Sequence, residues 1–221
     1  MTQLVWLDPN DPHADFPPVE TALRDPDGLL AAGGDLSPAR LLRAYRRGIF
    51  PWYEEGQPIL WWSPDPRAVI FPERLRISRS LRKTLRNKPY RVTFDTAFDA
   101  VVAACAEPRR GATGTWITQE MRAAYGALHA QGHAHSVEVW DAEGRLVGGL
   151  YGILLPRVFS GESMFSRRSD MSKVALVYLA QWLIERDVPL IDCQLPNPHL
   201  MRLGAETMPR ARFVRDYLEA A

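Results

Sequence analysis

The residues best suited to do chemistry in this chain lie near its C-terminal end, in Leu190-Ile191-Asp192-Cys193-Gln194, an apolar strand pattern that finishes on two polar side chains. Alternation along a strand predicts that Asp192 and Gln194 share one face while Cys193 takes the other. A carboxylate and an amide fixed side by side in a run that otherwise reads as buried must find partners. Either they satisfy one another, or they face a cavity in which a ligand does so. The stretch Gly161-Glu162-Ser163-Met164-Phe165-Ser166 is the second unusual one. Glu162 interrupts a strand of apolar and small residues, and the glycine before it lets backbone or ligand approach closely. It reads either as a solvated edge residue or as a second carboxylate on the same cavity, able to hold an amine or orient a polar network. Other chemistries find little support. Ser163 lacks a GxSxG elbow, and neither Cys105 nor Cys193 has a motif that identifies an activating histidine. His133 and His135 alternate on one face without a third ligand, so no metal site is expected. An enzyme built on these residues works by placing two bound substrates against each other while carboxylate and amide groups manage protons.

The elements that must position them are legible in the hydrophobic periodicity. A helix over Ser172–Arg186, free of Gly and Pro, leads straight into the strand at Leu190, and the strand from Val158 toward Phe165 precedes it. A strand–helix–strand unit of this kind brings its two strands side by side, and with them Glu162 and Asp192. Upstream, His135–Trp140 and Leu146–Leu155 read as a hairpin across Asp141–Gly144. A helix over Gln119–Ala130 carries Met121, Ala124, Tyr125 and Leu128 at helical spacing, and a strand at Tyr90–Phe94 and a helix over Ala97–Ala106 come before it. Nearer the N-terminus, Gly33-Gly34-Asp35 makes a turn, Ser37 caps a helix, Pro38 suits its first position and Gly48 ends it. The paired glycines are not a phosphate loop, because no Gly-Lys-Ser/Thr follows them. The class is α+β. The first third, rich in Pro, Gly and Trp, differs enough from the remainder to suggest two domains, 1–89 and 90–221.

Two further constellations stand out. Phe50-Pro51-Trp52, Trp61-Trp62-Ser63-Pro64 and Trp116 are large rings beside prolines, suited either to packing an irregular segment or to walling a pocket. Between Arg74 and Arg91 lie eight basic residues, Lys88 among them, and no acidic one. Arg79, Arg82, Lys83 and Arg86 fall at i, i+3, i+4 and i+7, so a helix there carries one positive stripe while Leu81 and Leu85 turn inward. Exposed faces normally mix signs, and an unmixed stripe in a nearly neutral protein favours a phosphate backbone over a merely solvated face. With 221 residues, 46% hydrophobic content and a formal net charge of +1, the chain can build a real core, and only this local cluster addresses a polyanion. Two widely spaced cysteines fit reduced thiols in a cytoplasm. No window is apolar enough to suggest export or membrane insertion.

Taken together these residues resemble the bacterial leucyl/phenylalanyl-tRNA–protein transferases. The resemblance rests on GGDLS at Gly33–Ser37, YRRGIFPW at Tyr45–Trp52, WWSPDPR at Trp61–Arg67, TWI at Thr115–Ile117, HAHSVEVW at His133–Trp140, VGGLYG at Val147–Gly152, GESMFS at Gly161–Ser166 and LIDCQ at Leu190–Gln194. It implies a small N-terminal domain followed by a GNAT-like acyltransferase domain, a mixed sheet flanked by helices. It also implies transfer of leucine or phenylalanine, less often methionine, from aminoacyl-tRNA to proteins with N-terminal arginine or lysine, which marks them for degradation. No cofactor is implied, since aminoacyl-tRNA is a co-substrate, and Arg167–Met171 lacks the glycine-rich loop that holds coenzyme A. By resemblance Asp192, Gln194 and Glu162 are catalytic. Tyr45, Trp52 and Trp116 belong to the aminoacyl-adenosine site, and Leu150, Leu176 and Ile191 to an apolar pocket. Arg76, Arg79, Arg82, Lys83 and Arg86 are expected to bind tRNA. A monomer acting in the cytoplasm, away from membranes, is expected. Leu150 stands where some relatives have methionine, and Asp170-Met171 and Ser172-Lys173 stand around a position where others have Asn-Ala.

The expected reaction is aminolysis of an ester by an α-amine whose reference pKa of about 7.7 to 8.0 leaves an appreciable neutral fraction near pH 7. Gln194, oriented by Asp192, is expected to accept a hydrogen bond from that amine, with Glu162 completing the network or holding the aminoacyl group's own amine. In a substrate-assisted variant the terminal ribose carries the proton and these residues only position. A coenzyme A-dependent acyltransferase and a non-catalytic RNA-binding module are the rival readings.

Overall fold

The computed structural model describes residues 4–11, 14–87, 89–108 and 115–219; Lys88 of the basic run lies outside them. Strands β1 (Val5–Leu7), β2 (Leu29–Gly33), β3 (Phe50–Pro51) and β4 (Leu60–Trp62) form a four-stranded sheet in the order β1-β2-β4-β3. Helix α1 (Pro38–Arg46) follows β2. Its start is built as its sequence predicts, with Ser37 Oγ accepting from the Arg40 N–H and proline in the first turn. Gly48, at φ +73°, takes the left-handed conformation just beyond its end.

A seven-stranded mixed sheet dominates the remainder. It comprises β5 (Arg67–Ile70), β6 (Arg91–Phe94), β7 (Ala134–Trp140), β8 (Leu146–Leu154), β9 (Val158–Ser166), β10 (Leu190–Gln194) and β11 (Glu206–Met208), in the order β11-β5-β10-β9-β8-β7-β6. The helices are α2 (Arg79–Asn87), α3 (Phe98–Ala106), α4 (Gln119–Ala130), α5 (Met171–Ile184), α6 (Pro198–Arg202) and α7 (Arg210–Phe213). The expected α+β class with a mixed sheet flanked by helices is what forms. Strand pairing crosses the expected division at residue 89. β5 precedes that residue, yet it lies hydrogen-bonded between β10 and β11, so a cut there would remove an inner strand from the sheet.

Both faces of the sheet are covered, which explains why β8 is buried along nearly its whole length. Val101, Tyr125 and Leu128 of α3 and α4 pack with Tyr151, Val158 and Leu190 on one face. Val174, Leu176 and Leu183 of α5 pack with Leu150, Phe159 and Ile191 on the other. Consecutive strand residues thus serve opposite layers, as a two-residue period requires. α2 docks through buried Leu81 and Thr84, and Thr84 Oγ1 donates to Asp170 Oδ2 at 3.2 Å, just ahead of α5. No helix among the described residues is long and apolar enough to cross a membrane.

Candidate active site

The sheet's parallel pair, β9 and β10, creates the site. Their ladder runs Leu190↔Val158, Ile191↔Phe159, Asp192↔Ser160 and goes no further, although β9 continues to Ser166. Crevices at the carboxyl ends of parallel strands are where ligands commonly bind in α/β sheets. Each strand also carries an irregularity at that point. Across β8 and β9, Tyr151 pairs with Ser163 and Gly152 with Gly161, so Glu162 is an extra residue with no opposite number. Across β5 and β10, Val69 pairs with Asp192 and Ala68 with Gln194, which leaves Cys193 unopposed. Bulges re-aim side chains. Gly152 makes the first geometry possible, because a Cβ there would meet the Ser160 carbonyl oxygen at 2.2 Å.

A cavity of about 770 Å³ opens beside the two bulges. Trp52, Trp116, Leu150, Leu176, Ile191, Glu162 and Gln194 all line it, so seven of the residues singled out in the sequence converge on one space. Trp52 is 43% exposed and Trp62 supports it, donating from Nε1 to the Trp52 carbonyl at 2.7 Å with the rings 5.6 Å apart. Leu150, Leu176 and Ile191 are buried and give the cavity its apolar wall together with Phe159 and Leu179.

Two expected site residues do not reach this space. Asp192 is 1% exposed and turned to Arg67, whose Nε and Nη2 donate to its two carboxylate oxygens, each at 2.7 Å. Ser160 Oγ donates to Asp192 Oδ2 at 3.0 Å, and the backbone N–H of Gln194 to Oδ1 at 2.9 Å. Asp192 therefore meets the backbone of Gln194, whereas the sequence had suggested a side-by-side polar pair. Cys193 and Gln194 line the cavity together, which regular alternation would prevent; the register break and a φ of +63° at Gln194 bring this about. Tyr45 is the second departure. Buried on the inner face of α1, it stands behind the cavity lining with its hydroxyl 2.5 Å from that of Tyr125 and within hydrogen-bonding reach of Glu162.

Glu162 sits at the polar end. Tyr125 donates to its Oε2 at 2.7 Å, and Gln194 Nε2 to its Oε1 at 3.2 Å. With the amide nitrogen engaged by a carboxylate, Gln194 Oε1 remains as an acceptor. Burial raises the Glu162 carboxyl from its ordinary value to about 7, and the neighbouring Asp192 charge adds to the rise; hydrogen bonds from Tyr125, Tyr45 and Gln194 oppose it. Burial and the Glu162 charge in turn hold the Tyr45, Tyr125 and Tyr151 hydroxyls well above the usual phenol range. Burial likewise pushes the Cys193 thiol upward, which makes it a poor nucleophile. Among the described residues no three His, Cys, Asp or Glu side chains are grouped to hold a metal ion.

Arg67 and Tyr125 are the residues that sequence reasoning missed. Arg67 is the only charged residue in a strand that is otherwise Ala-Val-Ile and buried throughout, and that was its available signal. Tyr125 had none, since its position on α4 reads as one more apolar contact. The basic residues are where the pattern predicted: Arg76, Arg79, Arg82, Lys83 and Arg86 are all exposed, and α2 turns Leu81 inward.

Among solved structures, a GCN5-related N-acetyltransferase from Kribbella flavida is similar with a TM-score of 0.41 at 13% identity, over 78% of this chain and 61% of that one. Curated relatives are far nearer. Leucyl/phenylalanyl-tRNA–protein transferase from Aromatoleum aromaticum is 69% identical over 199 residues, 90% of this chain and 84% of the relative. That from Methylococcus capsulatus is 57% identical over 221 residues, 99% of this chain and 94% of the relative. The family model for leucyl/phenylalanyl-tRNA protein transferase matches residues 69–218, and the model for that family's N-terminal domain matches residues 34–65. On these matches the chain belongs to the leucyl/phenylalanyl-tRNA–protein transferase family and is an aminoacyltransferase.

Proposed function

We propose that this protein transfers leucine or phenylalanine, and less readily methionine, from the 3′ end of tRNA to the N-terminal arginine or lysine of a protein, marking it for degradation. The observation that carries the reading is the single cavity shared by exposed Trp52, the apolar wall and the Gln194–Glu162 pair. The terminal adenosine lies against Trp52 and Trp116, where ring stacking suits a base. The donor side chain enters among Leu150, Leu176 and Ile191. Such a wall rejects charged side chains strongly but separates leucine from phenylalanine weakly, by about 1–3 kcal/mol. Arg76, Arg79, Arg82, Lys83 and Arg86 hold tRNA phosphates with little sequence reading. The protein works as a monomer in the cytoplasm and needs no cofactor.

In the chemical step the acceptor's neutral α-amine attacks the ester carbonyl. A C–N bond forms, the bond to the ribose oxygen breaks, and the proton lost by the amine ends on that oxygen. Gln194 Oε1 accepts from the amine and aims its lone pair, while Glu162 fixes the amide's orientation. This is catalysis chiefly by placement of two reactants.

The test is to mix the protein with labelled Phe-tRNA and an Arg-leading peptide. A Phe–Arg peptide bond is expected, with no product from a Glu-leading peptide. Tight tRNA binding without transfer, or turnover of a coenzyme A thioester in its place, overturns the reading.

A further inference from the structure

The buried pair behind Gln194 is more elaborate than an ion pair needs to be. Arg67 is 1% exposed, and all three of its nitrogens are used: Nε and Nη2 on Asp192, and Nη1 on the Gly48 carbonyl at 3.0 Å. Aromatic rings flank the guanidinium, with Phe50 at 5.0 Å and Phe213 at 4.9 Å from its central carbon. A planar fork held this way fixes both oxygens of its carboxylate partner. One of those oxygens, Oδ1, also receives the Gln194 N–H. Gln194 itself stands at φ +63°, next to the unopposed Cys193. A residue other than glycine keeps such a conformation only where its surroundings over-determine it.

We propose that Arg67 is a positioning residue of the transfer reaction, acting through Asp192 on the backbone of Gln194 so that the Gln194 amide meets Glu162 and the incoming amine. The inference rests on the reading of Gln194 as the group that touches the amine. It assigns Asp192 a framework part: its carboxylate bonds to the Gln194 main chain and to Arg67, not to the side-chain amide. It also makes Gln194 answerable to distant parts of the chain. Gly48 and Phe50 lie just ahead of Trp52 in the same run of chain, and Phe213 comes from α7. The wall that meets the adenosine and the group that meets the amine are thus braced on one guanidinium.

The experiment is single-turnover transfer from Phe-tRNA to an Arg-leading peptide by R67K, F213L, Q194A and the doubles R67K/Q194A and F213L/Q194A, each checked for thermal unfolding and for Phe-tRNA affinity. Wild-type transfer is the control, and its failure would sink the functional reading rather than this one. R67K keeps the charge but not the two-pronged hold. Its rate constant is expected to fall at least tenfold, with the Phe-tRNA dissociation constant within twofold of wild type. F213L keeps an apolar side chain at that place and is expected to lose three- to tenfold. In both doubles the rate should be no lower than in Q194A alone, because Arg67 acts through Gln194. Rates within twofold of wild type, or losses that multiply with that of Q194A, overturn the proposal. Should R67K not fold, F213L and its double decide alone.

Discussion

Two carboxylates stand on adjacent strands at neighbouring irregularities and live in opposite surroundings. Asp192 faces a guanidinium that takes both its oxygens, and it touches no part of the cavity. Glu162 faces uncharged donors, two linked tyrosines and an amide, and lines the cavity. One is satisfied by charge and serves as framework. The other is satisfied by dipoles, is raised toward neutral pH by burial, and can change its protonation where the enzyme works. Pairs of acids whose environments differ in this way divide the labour of a site between them. Strand position alone does not decide which carboxylate faces the cavity; the nearest compensating charge does.

The sharpest way to break this comparison is Asp192→Ala. Without its partner the Arg67 charge stays buried between two rings, and removing one member of a buried pair costs about 3–5 kcal/mol. Urea unfolding should show that loss along with near-complete loss of transfer, and a cost below about 1 kcal/mol would mean that the pair is no framework. Glu162→Gln should behave differently. With the folded-state carboxyl raised from 4.5 to about 7, the native protein binds the extra proton between those values. Wild-type stability is therefore full below about pH 4.5 and falls as pH rises through 7, by on the order of 3 kcal/mol. That decline should vanish in E162Q, and so should any limb of the transfer rate with an apparent pKa near 7. A decline that persists places the titrating group elsewhere.

Two tyrosines refine the comparison further. Tyr125→Phe removes a donor from Glu162 and should cost about 1 kcal/mol in unfolding free energy while moving the Glu162 titration upward. Tyr151 has a buried hydroxyl without a hydrogen-bond partner among the described residues, so Tyr151→Phe should leave stability unchanged or slightly improved. Equal losses in the two would erase the distinction between a bonded hydroxyl and an idle one. Neutralising Arg79, Arg82 and Lys83 together is the smallest perturbation of the fold, within about 0.5 kcal/mol for exposed positions. It should leave both carboxylates as they are and lower the salt dependence of tRNA binding by about 2–3 in log–log slope. An unchanged slope would remove α2 from the RNA-binding surface.

Much of this was readable before folding. The helix at Gln119–Ala130 runs between the residues its periodicity predicts, Ser37 caps α1, and the basic face of α2 is exposed, because each depends on neighbours a few residues away. Trp52, Trp116, Leu150, Leu176, Ile191, Glu162 and Gln194 were drawn from separate motifs through the resemblance, and they line one cavity. The part of Asp192 was not readable. Its alternation with Gln194 was a sound local inference, but the partner that captured it lies 125 residues earlier in the chain. The inner place of β5 was hidden for the same reason, since strand pairing across the chain carries no local mark.

The sequence by itself thus determined the longer helices and strands, the cap of α1, the apolar faces and the positive stripe, all of which follow from spacing within a turn or a pleat. Only the tertiary structure decided that Cys193 and Glu162 would be the unopposed residues, that Arg67 would neutralise Asp192, and that Tyr125 would hold Glu162. Bulges arise from the register between two strands, and the fate of a charge depends on what else is within a few ångströms, and neither is a property of any one segment.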